Sequence, residues 1–205
     1  MSKKNIITIC LLMIFSMFFI SPAQAVTAMV AGGTGHSIGL KDDGTVLCVG
    51  SNAYGQCNVG GWSDIVQISA GVETSIGLKS DGTVVSTGYN ADGQCNTSGW
   101  TDIVKISSAH YSTIGLKSDG TIVVAGRTGQ NPGSTGTQIL NTSWTDLVQV
   151  EAGYSVGIGL KSNGTVVGSA SSWTNITQVS AGRDHVVGLK NDGTVVASGV
   201  NRSGQ

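Results

Sequence analysis

Past position 25 the chain sets short apolar runs between longer polar stretches, and the runs return in a fixed order. Val66-Gln67-Ile68, Val104-Lys105-Ile106 and Val148-Gln149-Val150 place apolar side chains at every second position, the period of a pleated strand. A short corner follows, as at Ala70-Gly71, Ala152-Gly153 and Ala181-Gly182, and then a second apolar run that closes on Gly-Leu-Lys. Ser80-Asp81-Gly82, Ser118-Asp119-Gly120 and Ser162-Asn163-Gly164 come next and lead into Thr-Val-Val or a close variant. Asp or Asn favours a tight reversal there, and the glycine accepts a positive φ that a side chain resists. The pattern predicts small antiparallel sheets of three strands, with a fourth strand in the segment that follows.

Five copies of the phrase Gly-Leu-Lys organise the chain, beginning at Gly39, Gly77, Gly115, Gly159 and Gly188. The first two intervals are equal, the third is longer and the last is shorter. Each copy carries its turn glycine at Gly44, Gly82, Gly120, Gly164 or Gly193. Trp62, Trp100, Trp144 and Trp173 precede Gly77, Gly115, Gly159 and Gly188 by one constant interval, whereas the stretch from each Gly-Leu-Lys to the following Trp changes from copy to copy. All length variation falls in that one segment, which marks it as a surface loop beside a packed scaffold. A lone sheet of this kind cannot bury its faces, so the copies must stack. Antiparallel sheets of about 38 residues stacked in series predict an all-β fold, a β-propeller, over a β-solenoid, whose rungs are shorter. The tryptophans, held in register with a strand start, are expected to pack between blades.

The segment 1–25 reads as an export signal. Lys3 and Lys4 form a positive start, Ile6 to Ile20 an apolar run, and Ala23-Gln24-Ala25 a small-residue cleavage site. The run is short for a membrane span of about 20 residues, and no second one follows. The expected domains are therefore 1–25, a signal peptide, and 26–205, the propeller, with exported destinations of medium, cell surface or periplasm. Without Lys3 and Lys4, the acidic side chains outnumber the basic ones, which argues against nucleic acid as a partner. Beyond the signal stand Cys48, Cys57 and Cys95, an odd number for an oxidising compartment. Cys57 and Cys95 are equivalent positions one repeat apart. A bond between them needs Cα atoms within about 7 Å, met on neighbouring blades only near the axis.

Asp81-Gly82-Thr83-Val84-Val85-Ser86-Thr87-Gly88-Tyr89-Asn90-Ala91-Asp92-Gly93-Gln94 resembles the repeat of the regulator-of-chromosome-condensation family. That repeat continues to an apolar strand and Ala-Gly-x-x-His. The first copy gives Asn52-Ala53-Tyr54-Gly55-Gln56 and the last Asn201-Arg202-Ser203-Gly204-Gln205; the family histidine stands at His36 and His185, but Thr74, Ser112 and Val156 replace it elsewhere. The resemblance implies a seven-bladed propeller, of which this chain carries four full repeats and part of a fifth. A C-terminal truncation, or an open arc that self-associates through its unpaired sheet edge, is the expectation. The nuclear founder of the family is an exchange factor for a small GTPase on chromatin, a role that an export signal and acidic balance contradict. Secreted bacterial relatives include a propeller that inhibits β-lactamases by gripping them with its loops.

No catalytic constellation, metal set or cofactor motif stands apart from the repeat. His36 and His185 hold the family position, the Asp of each Asp-Gly belongs to turn chemistry, and His110 has no spaced partner. Lys41, Lys79, Lys117, Lys161 and Lys190 recur before the turn and are expected to solvate hairpin ends. Recognition is expected where copies differ. One place is the pair after each corner, which contributes Glu73, His110, Tyr111, Tyr154, Arg183 and Asp184. The other is the variable loop, with Tyr54, Tyr89, Arg127 and the insertion Asn131 to Asn141. Tyr and Arg match the residues that dominate protein interfaces. The expected function is a secreted, non-enzymatic protein-binding propeller; a carbohydrate- or envelope-binding surface protein, or an enzyme inhibitor, is the alternative.

Overall fold

Each apolar run of the sequence forms a strand, and every three consecutive strands close one antiparallel sheet. In the computed structural model, blade 1 holds β1 (Met29–Gly32), β2 (His36–Leu40) and β3 (Val46–Gly50), and blade 2 holds β4 (Ile65–Ala70), β5 (Thr74–Lys79) and β6 (Val84–Gly88). Blade 3 is β7 (Ile103–Ser108), β8 (Ser112–Lys117) and β9 (Ile122–Gly126); blade 4 is β10 (Leu147–Ala152), β11 (Gly157–Lys161) and β12 (Val166–Gly168). Blade 5 is β13 (Ile176–Ala181), β14 (His185–Lys190) and β15 (Val195–Gly199). The structure describes residues 26–127, 141–154 and 156–200, so the segment 1–25, read above as a signal peptide, most of the 131–141 insertion and the 201–205 phrase lie outside it. Among the described residues all regular structure is β, and the strand expected after the third is absent after blades 1, 2 and 4. Residues 51–64, 89–102 and 169–175 run as turns and coil instead. Their Gly, Asn and Ser content favours local turns over a ladder.

The hairpin between second and third strands is built the same way in every copy. In blades 1, 2, 3 and 5, the Thr45, Thr83, Thr121 and Thr194 backbone N–H and hydroxyl both donate to one carboxylate oxygen of Asp43, Asp81, Asp119 or Asp192, at 2.9 and 2.6 Å. Asn163 accepts the same two bonds from Thr165 in blade 4. A neutral amide serves as well as a carboxylate, so the Asp is an acceptor in a turn. The next residue, Gly82 for example, sits at φ +81°. Its carbonyl accepts from Ile103 N of the following blade at 3.0 Å, and the same link joins Gly44 to Ile65, Gly120 to Leu147 and Gly164 to Ile176. Just before each link the chain passes through left-handed φ at Asp64, Asp102, Asp146 and Asn175, the residue types that tolerate it best. The Trp-Ser/Thr-Asp/Asn phrase is thus the joint between blades.

Four apolar cores fill the gaps between consecutive blades, and each contains one tryptophan. Trp62 joins Ile38, Leu40 and Val46 of blade 1 with Ile65 and Ile68 of blade 2. Trp100, Trp144 and Trp173 hold the same place at the next three junctions. The constant interval from Trp to Gly-Leu-Lys has a steric cause. A Cβ on Gly77, Gly115 or Gly188 would stand 2.9–3.0 Å from ring atoms of Trp62, Trp100 or Trp173. In the fourth copy Trp144 meets Gly168 and Leu147 covers Gly159.

The first strands of successive blades touch one another around a common axis. There the Gln67 side-chain amide donates to Ile106 O at 3.2 Å and accepts from Ile106 N at 3.0 Å. Gln149 does the same to Val179, at 2.7 and 3.1 Å. Lys105, at the equivalent place, only donates, to Val148 O at 2.9 Å. The simple alternation expected for these strands fails at one point. The register slips between Ile65 and Gln67, and at the matching step in blades 3, 4 and 5. That bulge turns Ile65 and Ile68 to the same side, and leaves Val104 and Val148 about half exposed. The outward faces of blades 1 and 5 also keep apolar side chains in solvent, with Val30 87% and Val195 67% exposed.

The cysteines pair within one blade. Cys48 on β3 bonds to Cys57, with Cα atoms 5.2 Å apart. Cys95 is free and half-buried, and burial pushes its thiol up. Equivalence between repeats pairs Cys57 only with Cys95, whereas the bonded partner stands on the neighbouring strand of the same repeat.

Candidate functional site

A repeated backbone hydrogen bond, present in four of the five blades, determines which loops share a face. Where the third strand ends in blades 1, 2, 3 and 5, the chain donates back to the residue just before the second strand. Ser51 N bonds Gly35 O, Tyr89 N bonds Glu73 O, Arg127 N bonds Tyr111 O and Val200 N bonds Asp184 O, at 2.8–3.0 Å. The corner after each first strand and the start of each variable loop therefore emerge side by side. The Asp-Gly hairpins lie at the other end of the sheets. The two places singled out in the sequence as separate candidates form one face.

On that face the side chains from blades 2 to 5 gather. His110 lies edge-on to Tyr111 and Tyr154, with ring centroids 3.9 and 4.9 Å away. Tyr111 and Tyr154 are 5.4 Å apart, their hydroxyls 3.4 Å. Each tyrosine also carries a guanidinium over its ring. Arg127 stands 4.6 Å from the Tyr111 centroid and Arg183 5.0 Å from that of Tyr154. Arg127 is fixed by Asp92, through Nη2 at 2.7 Å and Nε at 2.8 Å, and Arg183 Nε lies 3.4 Å from Asp184. Tyr54 and Tyr89 form a separate edge-to-face pair at 5.1 Å. Glu73 contributes its charge to the surroundings of His110. All nine candidate residues thus lie on one face, seven around the His110 cluster and two in the tyrosine pair.

Asp92 is a member of this cluster that the sequence reading misses. Its signal is present, because Asp92 occupies the place that Tyr54 holds in the first copy. Burial lowers the pKa of His110, a shift opposed by Glu73 and Asp92 and assisted by Arg183 and Arg127. The hydrogen bond to Tyr154 holds the Tyr111 phenol above its ordinary value.

Beside this cluster the five corners line an open cavity of about 640 Å³. Glycine and alanine make up most of its wall, at Gly32, Gly33, Ala70, Gly71, Ala109, Ala152, Gly153, Ala181 and Gly182. The corners approach so closely that a Cβ on Gly71 would meet Ala109 O at 2.5 Å. His36 belongs to the scaffold below. It is buried, shares a 3.0 Å hydrogen bond with Ser75, and burial depresses its pKa. Among the described residues no three His, Cys, Asp or Glu side chains gather as a metal site.

Residues 26–56, 65–94 and 176–205 match the family pattern of the regulator of chromosome condensation (RCC1) repeat. These three segments carry RCC1-like repeats. No curated protein sequence matches it significantly. Solved structures share its fold. Human WBSCR16 superposes with a TM-score of 0.71 at 18% identity, over 86% of this chain and 63% of that one. The ectodomain of the Physcomitrella patens receptor kinase CR4 gives 0.67 at 18% identity, over 83% and 52%. Prp20p of Saccharomyces cerevisiae gives 0.50 at 18% identity, over 85% and 45%. This RCC1-like chain therefore spans roughly half to two thirds of the length of these relatives.

Proposed function

We propose that the protein is an exported, non-catalytic propeller that binds another protein through the corner face. The observation that carries this reading is the cluster of His110, Tyr111, Tyr154, Arg127 and Arg183, assembled from different blades on one surface. Tyr and Arg are enriched at the energetic centres of protein interfaces. These rings are held by one another and by ion pairs, so little side-chain entropy is lost on binding. Prp20p, of similar fold, is described with binding properties to Gsp1p and histones, which supports a protein as the class of partner. Export rests on the N-terminal segment.

The carbohydrate alternative relies on tryptophan-bearing loops. Those rings pack into the junction cores, leaving the tyrosines as the aromatic surface. Enzyme inhibition is a finer version of the same reading, in which the partner is a secreted enzyme. The apolar outward faces of blades 1 and 5 favour contact with a further sheet, and sedimentation equilibrium reads whether a second copy supplies it.

The test compares capture of partners from the source's own secreted proteins by the wild type, by Tyr111→Ala/Tyr154→Ala and by Lys79→Ala/Lys117→Ala on the hairpin face. Retention is expected to fall about tenfold or more for the tyrosine pair and to stay unchanged for the lysine pair. Equal retention by both variants, or binding on a glycan array in place of protein capture, contradicts the proposal.

A further inference from the structure

The ionisable lining of the cavity carries one sign. Among the described lining residues, Arg183 and His110 are the chargeable side chains besides the phenol of Tyr154, and none is a carboxylate. Glu73, Asp92 and Asp184 sit on the same face outside that wall. Hydroxyl groups of Thr34, Ser108 and Tyr154 complete the polar set, and the remainder is glycine, alanine and Val72. A volume of 640 Å³ is within the usual range for a ligand site, about 300–1,000 Å³.

Resting on the protein-binding reading of the corner face, we propose that this cavity receives an acidic side chain carried at the tip of a protruding segment of the partner. The Arg183 side chain is 76% exposed, and its contact to Asp184 uses Nε. The terminal nitrogens of the guanidinium fork hold the further donors that suit a carboxylate. The Tyr154 ring beneath Arg183 fixes the direction of the fork, 5.0 Å from ring to guanidinium. A neutral segment would gain only the hydroxyl contacts, and a basic one would face Arg183.

His110 links this binding to pH. Groups from every neighbouring element act on it: Glu73 from the β4–β5 corner, Asp92 from the loop after β6, Arg127 after β9 and Arg183 from the β13–β14 corner, together with the Tyr111 and Tyr154 rings. A carboxylate in the cavity stabilises the imidazolium and raises the pKa that burial has lowered. The complex then binds more protons than the free protein, so affinity rises as pH falls through the titration of His110.

The experiment uses the full chain and three cyclic peptides alike except for Asp, Asn or Lys at the tip, read by fluorescence anisotropy. The Asp peptide is expected to bind about tenfold more tightly than the Asn peptide, since hydrogen bonds to charged groups exceed neutral ones by about that factor. Arg183→Gln is expected to erase the difference, Arg183→Lys to restore part of it, and His110→Gln to flatten its pH dependence. Unchanged thermal melting of these variants shows that the fold persists. Equal binding of Asp and Asn peptides, tighter binding of Lys, absence of binding by all three, or an Asp preference that survives Arg183→Gln overturns the proposal. Loss of natural partner capture in Tyr111→Ala/Tyr154→Ala alongside indifference to the Asp tip leaves the protein-binding reading standing and removes this one.

Discussion

Replacing Gly115 by alanine tests the joint between blades. The added Cβ would lie 3.0 Å from two ring atoms of Trp100 and 2.9 Å from Ile103 Cδ1. The Ile103 methyl can rotate away, but the indole is planar and held in the core between blades 2 and 3. Such overpacking costs about 1–3 kcal/mol. Against it, alanine restricts the unfolded chain and stabilises by about 0.4–1 kcal/mol. The net expectation is a loss of about 1–2 kcal/mol. Gly39 is the same position of the repeat in blade 1, where no tryptophan precedes it, and a Cβ there meets nothing within 4 Å. Gly39→Ala keeps the entropic gain without the clash. The difference between the two variants isolates the steric part, about 1–3 kcal/mol, or roughly 2–12 °C in melting temperature for a domain of this size. Urea unfolding followed by circular dichroism and tryptophan fluorescence measures it, and the same pair is then made with Trp100→Ala. Equal shifts in stability for both alanines, or a Gly115→Ala penalty that persists without the indole, would rule out the Trp100 contact as the cause.

Three further outcomes follow from other parts of the scaffold. Gln67→Glu retains the acceptor for Ile106 N but loses the donor to Ile106 O, at 3.2 Å in the native protein. It is expected to destabilise by about 1–3 kcal/mol in denaturant titration, whereas Lys105→Gln is expected to be neutral or better. Ser86 is the counterpart of Cys48, as Cys95 is of Cys57. Oxidised Ser86→Cys is therefore expected to gain a second disulfide, seen as loss of the free thiol of Cys95 and a stabilisation of about 2–3 kcal/mol for a loop of that length. The carboxyls of Asp43, Asp81, Asp119 and Asp192 are held below their ordinary range, chiefly by the threonine hydroxyl two positions on. Because the folded values are lowered, this stabilisation is complete above the unfolded pKa near 4 and is lost as pH falls through the folded values. Carboxyl titration by NMR checks it, and Asp81→Asn is expected to melt like the wild type at neutral pH, as Asn163 does the same work in blade 4.

Sequence periodicity makes the blades legible because their signals are local. The Asp-x-Thr geometry of the turn, the positive φ of Gly82 and the Trp-to-Gly contact all operate within a single repeat, so each leaves a fixed spacing. What stays hidden depends on relations between strands. Val104 reads as a core residue by alternation, but the bulge beside it turns the side chain outward. Gln67 and Gln149 read as the polar half of an alternating strand, although their amides join one blade to the next. Cys48 escapes notice as the partner of Cys57 because comparing copies directs attention to equivalent positions and away from the adjacent strand. For the site, the variable residues are visible as departures from the repeat. That Arg127 stands over Tyr111 is not visible, since it follows from the Arg127 N to Tyr111 O bond that brings two loops to one face.

The corner face, and not the hairpin face, is expected to meet the partner. A photo-crosslinking phenylalanine analogue placed at Tyr154, and separately at Ser118 in the β8–β9 hairpin, tests it in cells of the source. One discrete protein adduct is expected from position 154 and none from position 118. Adducts of equal yield from both positions, or from 118 alone, would contradict it.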